Sequence, residues 1–493
     1  MFAAAERSEQ SRLQRRGWAA LALALVSACG GSEVAEPQQA GRDVRAAIAD
    51  PSQGRWSPLV NLSMVPAAAA NLPNGKVMLW AAESRFSFAA DGQTYTSLFD
   101  PATNLATEVL VSNTGHNMFC PGTSNLPDGR LLVSGGIGAA DTSIYDASTN
   151  TWSTAAQMNI PRGYQANSVL QDGSVFTLGG SWSGGTGGKH GEVWSAAQGW
   201  RRLTGVPVTS MVSVAVNGAN ASFDGDSHFW LIPSGNGKVL YAGPGVNMQW
   251  IDTRGDGSVT PVGPRGDDEF SVNGNAVVYD IGKILKVGGA PAYEDTNANA
   301  NSYIIDTNAG ASVRKITPMA FPRAKHNSVV LPNGQVMVLG GMTFAKDFSD
   351  DTAVLRPELF DPVSETFTLL PPMAVARVYH SVALLLPDAR VLSAGGGLCG
   401  QGCAANHPDL QIYTPHYLFN ADGTPATRPV IASAPTLAVH GTRVPVSTNA
   451  PIGSFSLVRL SSVTHSTNND QRRVPVAFRS TGVNDYELTL PSN

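Results

Sequence analysis

The chain holds four cysteines, and one of them, Cys120 in "HNMFCPG", has no obvious use for its thiol. Cys29 ends an apolar run near the N-terminus, and Cys399 and Cys403 lie close together in "GGGLCGQGCAAN". In an oxidising compartment that close pair is expected to form a disulfide, with glycines permitting a tight loop; a metal-binding thiol pair is the alternative. A leftover cysteine is ordinarily a small buried hydrophobe. The other constellation that could do chemistry is Tyr379–His380 in "RVYHSVALLLPD". An imidazole and a phenolate oxygen are donors that a transition metal can use. Adjacent side chains on a regular strand point to opposite faces, so both can reach one metal only where the strand begins irregularly. Otherwise the pair reads as packing at a strand end. His465 in "SSVTHSTNND" reads, by itself, as a solvated turn residue.

The elements that must position such residues are strands. The 51 glycines and 32 prolines, interspersed with Val and Thr, point to an all-β chain with many turns. At 493 residues it is too long for one ordinary core, so several domains or a repeat are expected. A repeat is visible as a turn, a short apolar strand and a small-residue pair: "PNGKVMLWAA", "PDGRLLVSGG", "QDGSVFTLGG", "GNGKVLYAGP", "DIGKILKVGG", "PNGQVMVLGG" and "PDARVLSAGG". Its turn positions are Gly75, Gly129, Gly173, Gly237, Gly282, Gly334 and Ala389. Units of this length with double glycines resemble kelch repeats, which implies one propeller blade each. A four-stranded blade cannot bury both of its faces alone, and closing a ring covers them. The expected layout is a seven-bladed kelch-type β-propeller over 51–425. A small immunoglobulin-like β-sandwich follows over 426–493, where the double glycines stop and short alternating strands begin.

The N-terminus reads as an export signal. Arg7, Arg12, Arg15 and Arg16 precede "WAALALALVSAC", an n-region followed by an apolar run too short to span a bilayer. A signal peptide is expected over 1–28 and a linker over 29–50. "VSAC" resembles a bacterial lipobox, which would lipidate Cys29 and anchor the chain in the cell envelope; cleavage and secretion without lipid is the alternative. "RRGWAA" loosely resembles a twin-arginine signal. Charged residues are 14% of the chain and net charge is −5, with no basic stripe, so no nucleic-acid partner is expected.

Several motifs, in order, resemble the galactose oxidase family of copper radical oxidases: "HNMFCPG", "PRGYQ", "GGSWSGG", "RVYHSVALLLPD", "GGGLCG", "VTHS" and "NNDQRRVP". The resemblance runs from about residue 56 to the end. It implies a thioether between Cys120 and Tyr164, a protein-derived radical cofactor. It also implies one copper ion held by Tyr164, Tyr379, His380 and His465, and Trp182 stacked over the modified tyrosine. The implied reaction oxidises a primary alcohol or a hydrated aldehyde, small molecule or carbohydrate. Tyr379 takes the hydroxyl proton, a radical on Tyr164 takes hydrogen from carbon, and O2 leaves as H2O2. By the same resemblance Phe88, Asp224, Tyr293, Glu294 and Phe348 fall at substrate-pocket positions. Aligning "SHFWL" puts Asp224 where galactose oxidase has its sugar-binding arginine, and Glu294 replaces a glutamine. Galactose is therefore not the expected substrate. The chain also stops short of the family's last strands, which implies a shortened sandwich. A monomer is expected. The competing class is a non-catalytic kelch propeller that binds glycans or proteins at a surface, which has no need of Cys120, Tyr164, Trp182, Tyr379, His380 and His465 together.

Overall fold

A computed structural model describes residues 22–23, 50–212 and 225–492. Cys29, Asp224 and nearly all of the expected leader and linker lie outside the described residues. Among the described residues, regular structure consists of strands and four short 3-10 turns.

Seven four-stranded antiparallel sheets follow one another along the described residues. Their innermost strands are Ala68–Asn71, Gly122–Asn125, Ala166–Val169, Trp230–Pro233, Asn275–Asp280, Ala324–Val330 and Val382–Leu385. From the second sheet to the seventh each touches the next, and the seventh touches the first, which makes a ring. The seventh sheet has only three strands from its own stretch of chain. Arg55–Trp56 and Val60–Asn61 pair with Asp409–Thr414 and complete it, so the stretch just ahead of the first sheet closes the circle. The cores lie between neighbouring sheets, as where Val329, Met337 and Leu339 pack on Ala383, Val391 and Tyr413.

The double glycines have a packing reason. A Cβ on Gly179 would strike the carbonyl of Asp226 in the loop that leads into the next sheet, and one on Gly340 would strike that of Arg377 in the corresponding loop. Both glycines also take positive φ, +77° and +69°, where a side chain is strained. The same junctions hold fully buried ion pairs, Arg162–Glu192 at 2.9 Å and Arg323–Glu358 at 3.0 Å. These guanidinium groups also donate to Gly179 O and Gly340 O, at 2.9 and 2.8 Å. Removing one partner of such a pair leaves a buried charge, a loss of about 3–5 kcal/mol. Because Arg162 precedes Tyr164 by two residues, this clamp also fixes the backbone that carries the tyrosine.

The C-terminal region is a folded antiparallel sheet around Val444, Val446, Phe455, Val476, Tyr486 and Leu488. One excursion leaves it for the propeller axis. Ser462–Thr464 pairs antiparallel with the innermost strand of the first sheet and also touches that of the second. The following side chains then satisfy backbone N–H groups of three further innermost strands. Asp470 accepts from Val169 N at 3.0 Å, Asn469 from Leu231 N at 3.2 Å and Gln471 from Val330 N at 3.1 Å. Buried amides left without acceptors would be costly, so "NNDQ" works as a plug whose side chains match the ring.

Candidate metal centre

The ring sets the site through one repeated backbone feature. Pro66, Cys120, Tyr164, His228, Asn273, Lys325 and His380 each stand nine residues before a turn position of the repeat. All but the proline are in the left-handed region, with φ of 60°, 68°, 52°, 55°, 59° and 67° in that order. Such residues cost about 1–3 kcal/mol each and collect at functional sites. The conformation breaks strand alternation at the entry to the innermost strand, two residues before it in most sheets and at the second residue of Ala324–Val330 in the sixth. That is the irregularity Tyr379 and His380 require, since the regular strand begins only at Val382. Neighbouring members are joined by backbone bonds, Tyr164 N to Cys120 O and His228 N to Tyr164 O, each 2.9 Å.

Cys120, Tyr164, Tyr379, His380 and His465, singled out from the sequence, converge on the axis. The Tyr164 and Tyr379 hydroxyls are 2.5 Å apart. The Cys120 sulfur is 3.1 Å from His465 Nε2. The His380 and His465 rings lie 4.6 Å apart, and those of Tyr164 and His465 4.8 Å. Each imidazole is held by its other nitrogen: His380 Nδ1 lies 2.5 Å from Gly397 O, and His465 Nδ1 lies 2.8 Å from Thr464 Oγ1. His465 is 3% exposed rather than solvated, because its turn is the excursion into the axis. It too takes positive φ, 47°.

This arrangement fits a copper ion. His380 Nε2 is buried without a hydrogen-bond partner among the described groups, an expensive orphan unless something binds it. The donor atoms of Cys120, His380 and His465 lie within 4.8 Å of one another. Burial holds His380 down to about 3 and His465 well below the usual imidazole range, so both imidazoles are neutral at neutral pH and able to donate a nitrogen lone pair to a metal. Burial pushes both the Tyr164 and Tyr379 phenols well up, and ionising them here calls for a cation beside them. Two imidazoles and two phenols form the nitrogen–oxygen set that copper(II) favours, with each imidazole oriented from behind.

Around this centre the Trp182 indole lies flat on Tyr164, with centroids 4.8 Å apart and planes 9° apart. Phe88 stacks on Phe119 at 4.3 Å and reaches Trp182, Phe348 and His380 at 5.9–6.4 Å. Phe348 meets the Tyr379 ring edge-on at 5.3 Å. Tyr293 donates to the Tyr379 hydroxyl at 3.1 Å. Glu294 accepts from Asp347 N at 3.2 Å. Cys399 and Cys403 form a disulfide, in the same loop whose Gly397 orients His380.

Two residues of the site were not picked out from the motifs. His228 lies 3.2 Å from the Tyr293 hydroxyl through Nε2, and Lys325 stands over the Tyr379 and Tyr293 rings. Their signal was present in the repeat: both stand nine residues before a turn position, as Cys120, Tyr164 and His380 do.

Comparison with known proteins identifies relatives of this chain. Residues 285–401 match the family described as glyoxal oxidase N-terminus, and 428–493 match the galactose oxidase-like early set domain. A galactose oxidase of Gibberella zeae is 42% identical over 458 residues, covering 90% of this chain and 67% of that protein. An aldehyde oxidase of Vitis pseudoreticulata is 26% identical over 405 residues, 74% of this chain and 73% of its own. The solved structure of a fungal alcohol oxidase in complex with copper superposes with a TM-score of 0.85 at 40% identity, covering 90% of this chain and 94% of the other. Through identity along nearly its whole described length, and through a site built of copper-favouring donors, this chain belongs to the galactose oxidase family of copper radical oxidases.

Proposed function

We propose that this chain oxidises a primary alcohol or an aldehyde with O2, releasing H2O2, at a copper held by Tyr164, Tyr379, His380 and His465 and with a Cys120–Tyr164 thioether as radical cofactor. The observation that carries this reading is the buried meeting of two phenols, 2.5 Å apart, with two imidazoles, one of which has an unpartnered Nε2. Bound there, copper would supply an open coordination position for the substrate oxygen and one of the two electron acceptors that the reaction needs. Tyr379 takes the substrate's hydroxyl proton as general base. Tyr164 is the other electron acceptor and takes a hydrogen from the carbinol carbon. Ortho thioether substitution eases its oxidation, and the flat indole of Trp182 keeps water from one ring face. Phe88, Phe348 and Trp182 form the wall against which the substrate's carbon chain rests. Loading with copper under O2 should give a protein with stoichiometric copper that forms peroxide from alcohols or aldehydes. Protein that prefers zinc and makes no peroxide with any of them would refute the reading.

The aromatic wall suits small or apolar chains, and by the resemblance of "SHFWL" we put Asp224 where galactose oxidase has a cation for reading sugar hydroxyls. We therefore expect simple primary alcohols and small aldehydes to exceed galactose in kcat/KM. A peroxide-coupled assay across such a panel checks this, and galactose as the best substrate would contradict it.

We further infer export, with the Cys399–Cys403 disulfide suited to an oxidising compartment and Cys29 as a lipid attachment point. Cys29→Ser should move the protein from the membrane fraction to the soluble fraction. Unchanged fractionation, with no lipid mass on the mature N-terminus, would rule the anchor out.

A further inference from the structure

Three phenols of the site form one hydrogen-bonded chain, Tyr164 to Tyr379 at 2.5 Å and Tyr293 to Tyr379 at 3.1 Å. A one-electron vacancy created in that chain has three rings to choose from, and the proposed chemistry needs it on Tyr164. Lys325 is placed to bias the choice. Its ammonium stands 4.3 Å from the centroid of the Tyr379 ring and 4.6 Å from that of Tyr293. The Tyr164 ring lies flat on the neutral indole of Trp182. Lys325 pairs with Asp347, which directly precedes Phe348 of the pocket wall. The lysine side chain is 1% exposed and that of Asp347 13%, so the ammonium is the less screened of the two charges. A cation over an aromatic face stabilises the electron-rich ring. It opposes removal of an electron from that ring, and low dielectric enlarges the effect.

We propose that Lys325 is an electrostatic positioning residue that confines the oxidised state of the site to Tyr164 by making Tyr379 and Tyr293 harder to oxidise. This rests on the oxidase reading above, and the test separates the two. Full-length protein matured with copper and O2 is stripped of copper by a chelator and oxidised with hexachloroiridate(IV). One electron passes from a phenol to iridium, giving iridium(III), and the phenolic proton passes to the buffer. The phenoxyl left behind is read by electron paramagnetic resonance. Tyr164 carrying sulfur at one ortho carbon keeps a single ortho proton, whereas Tyr379 and Tyr293 keep both, which splits the signal differently.

The wild type should show the one-proton signal alone. Lys325→Met combined with Asp347→Asn, which leaves no lone buried carboxylate, should add a resolved two-proton component. Lys325→Arg, which keeps the charge, should restore the wild-type spectrum. Should the double variant not fold, Lys325→Gln, whose amide can still bond Asp347, gives the same readout. A folded, thioether-linked variant with an unchanged spectrum overturns the proposal. A wild type whose radical already shows two ortho protons also overturns it and leaves the oxidase reading standing. A wild type that forms no thioether overturns both.

Discussion

Cys120→Ala protein is expected to bind copper as the parent does and to turn over roughly 100-fold more slowly or worse, a loss of about 2.7 kcal/mol or more in transition-state stabilisation. The inferred donors are Tyr164, Tyr379, His380 and His465, so removal of the sulfur leaves them in place. What would be lost, with the proposed thioether, is the ortho substituent that eases oxidation of Tyr164. The ordinary reading of Cys120, a buried hydrophobe that is 1% exposed, makes a different forecast. Removing one buried sulfur then costs stability, on the order of 1 kcal/mol, and leaves kcat alone. Copper content, melting temperature and kcat measured on the same preparation separate the two. Peptide mapping adds a check on the parent. After full reduction the peptides containing "HNMFCPG" and "PRGYQ" should remain joined in copper-matured protein. A Cys120 that alkylates freely in active, copper-loaded protein would falsify the thioether.

Tyr379→Phe should cut kcat by about 10²–10⁴, the range expected when a positioned acid–base group is lost. The ring itself is well supported without its hydroxyl. Phe348 meets it edge-on at 5.3 Å and the Lys325 ammonium lies 4.3 Å from its centroid, so phenylalanine should keep the packing. The substitution removes one donor oxygen and the bonds to Tyr164 and Tyr293. Copper should still bind, though more weakly, through Tyr164, His380 and His465. The measurements are kcat across pH and copper retention on dialysis. Full turnover with a parental pH profile would assign the proton transfer to another group.

Much of the fold could be read from local pattern. Turn, strand and double glycine recur along the chain, and the blade-like sheets follow because a four-stranded sheet with two apolar faces needs neighbours on both sides. The candidate site was legible to the extent that its parts lie in short distinctive motifs around Cys120, Tyr164, Trp182, Tyr379 and His380. His465 was legible only through resemblance, since a histidine between threonine and serine looks like any turn. Its burial comes from Ser462–Thr464 pairing with Ala68–Ala70, nearly 400 residues away, a register that no local pattern encodes.

His228 and Lys325 stood at the same step of the repeat as Cys120, Tyr164 and His380. The repeat therefore determined that both would begin an innermost strand and face the axis. It did not determine what they would meet there. Only the closed ring brings Lys325 over Tyr379, 54 residues on, and draws in Asp347 from a loop to pair with it. The physical reason is that strand pattern and left-handed turns are decided within a few residues by sterics, whereas ligand sets, buried ion pairs and the orientation of an imidazole by Gly397 depend on through-space distance. Those distances exist only after seven sheets and a C-terminal plug have shut out water around one axis.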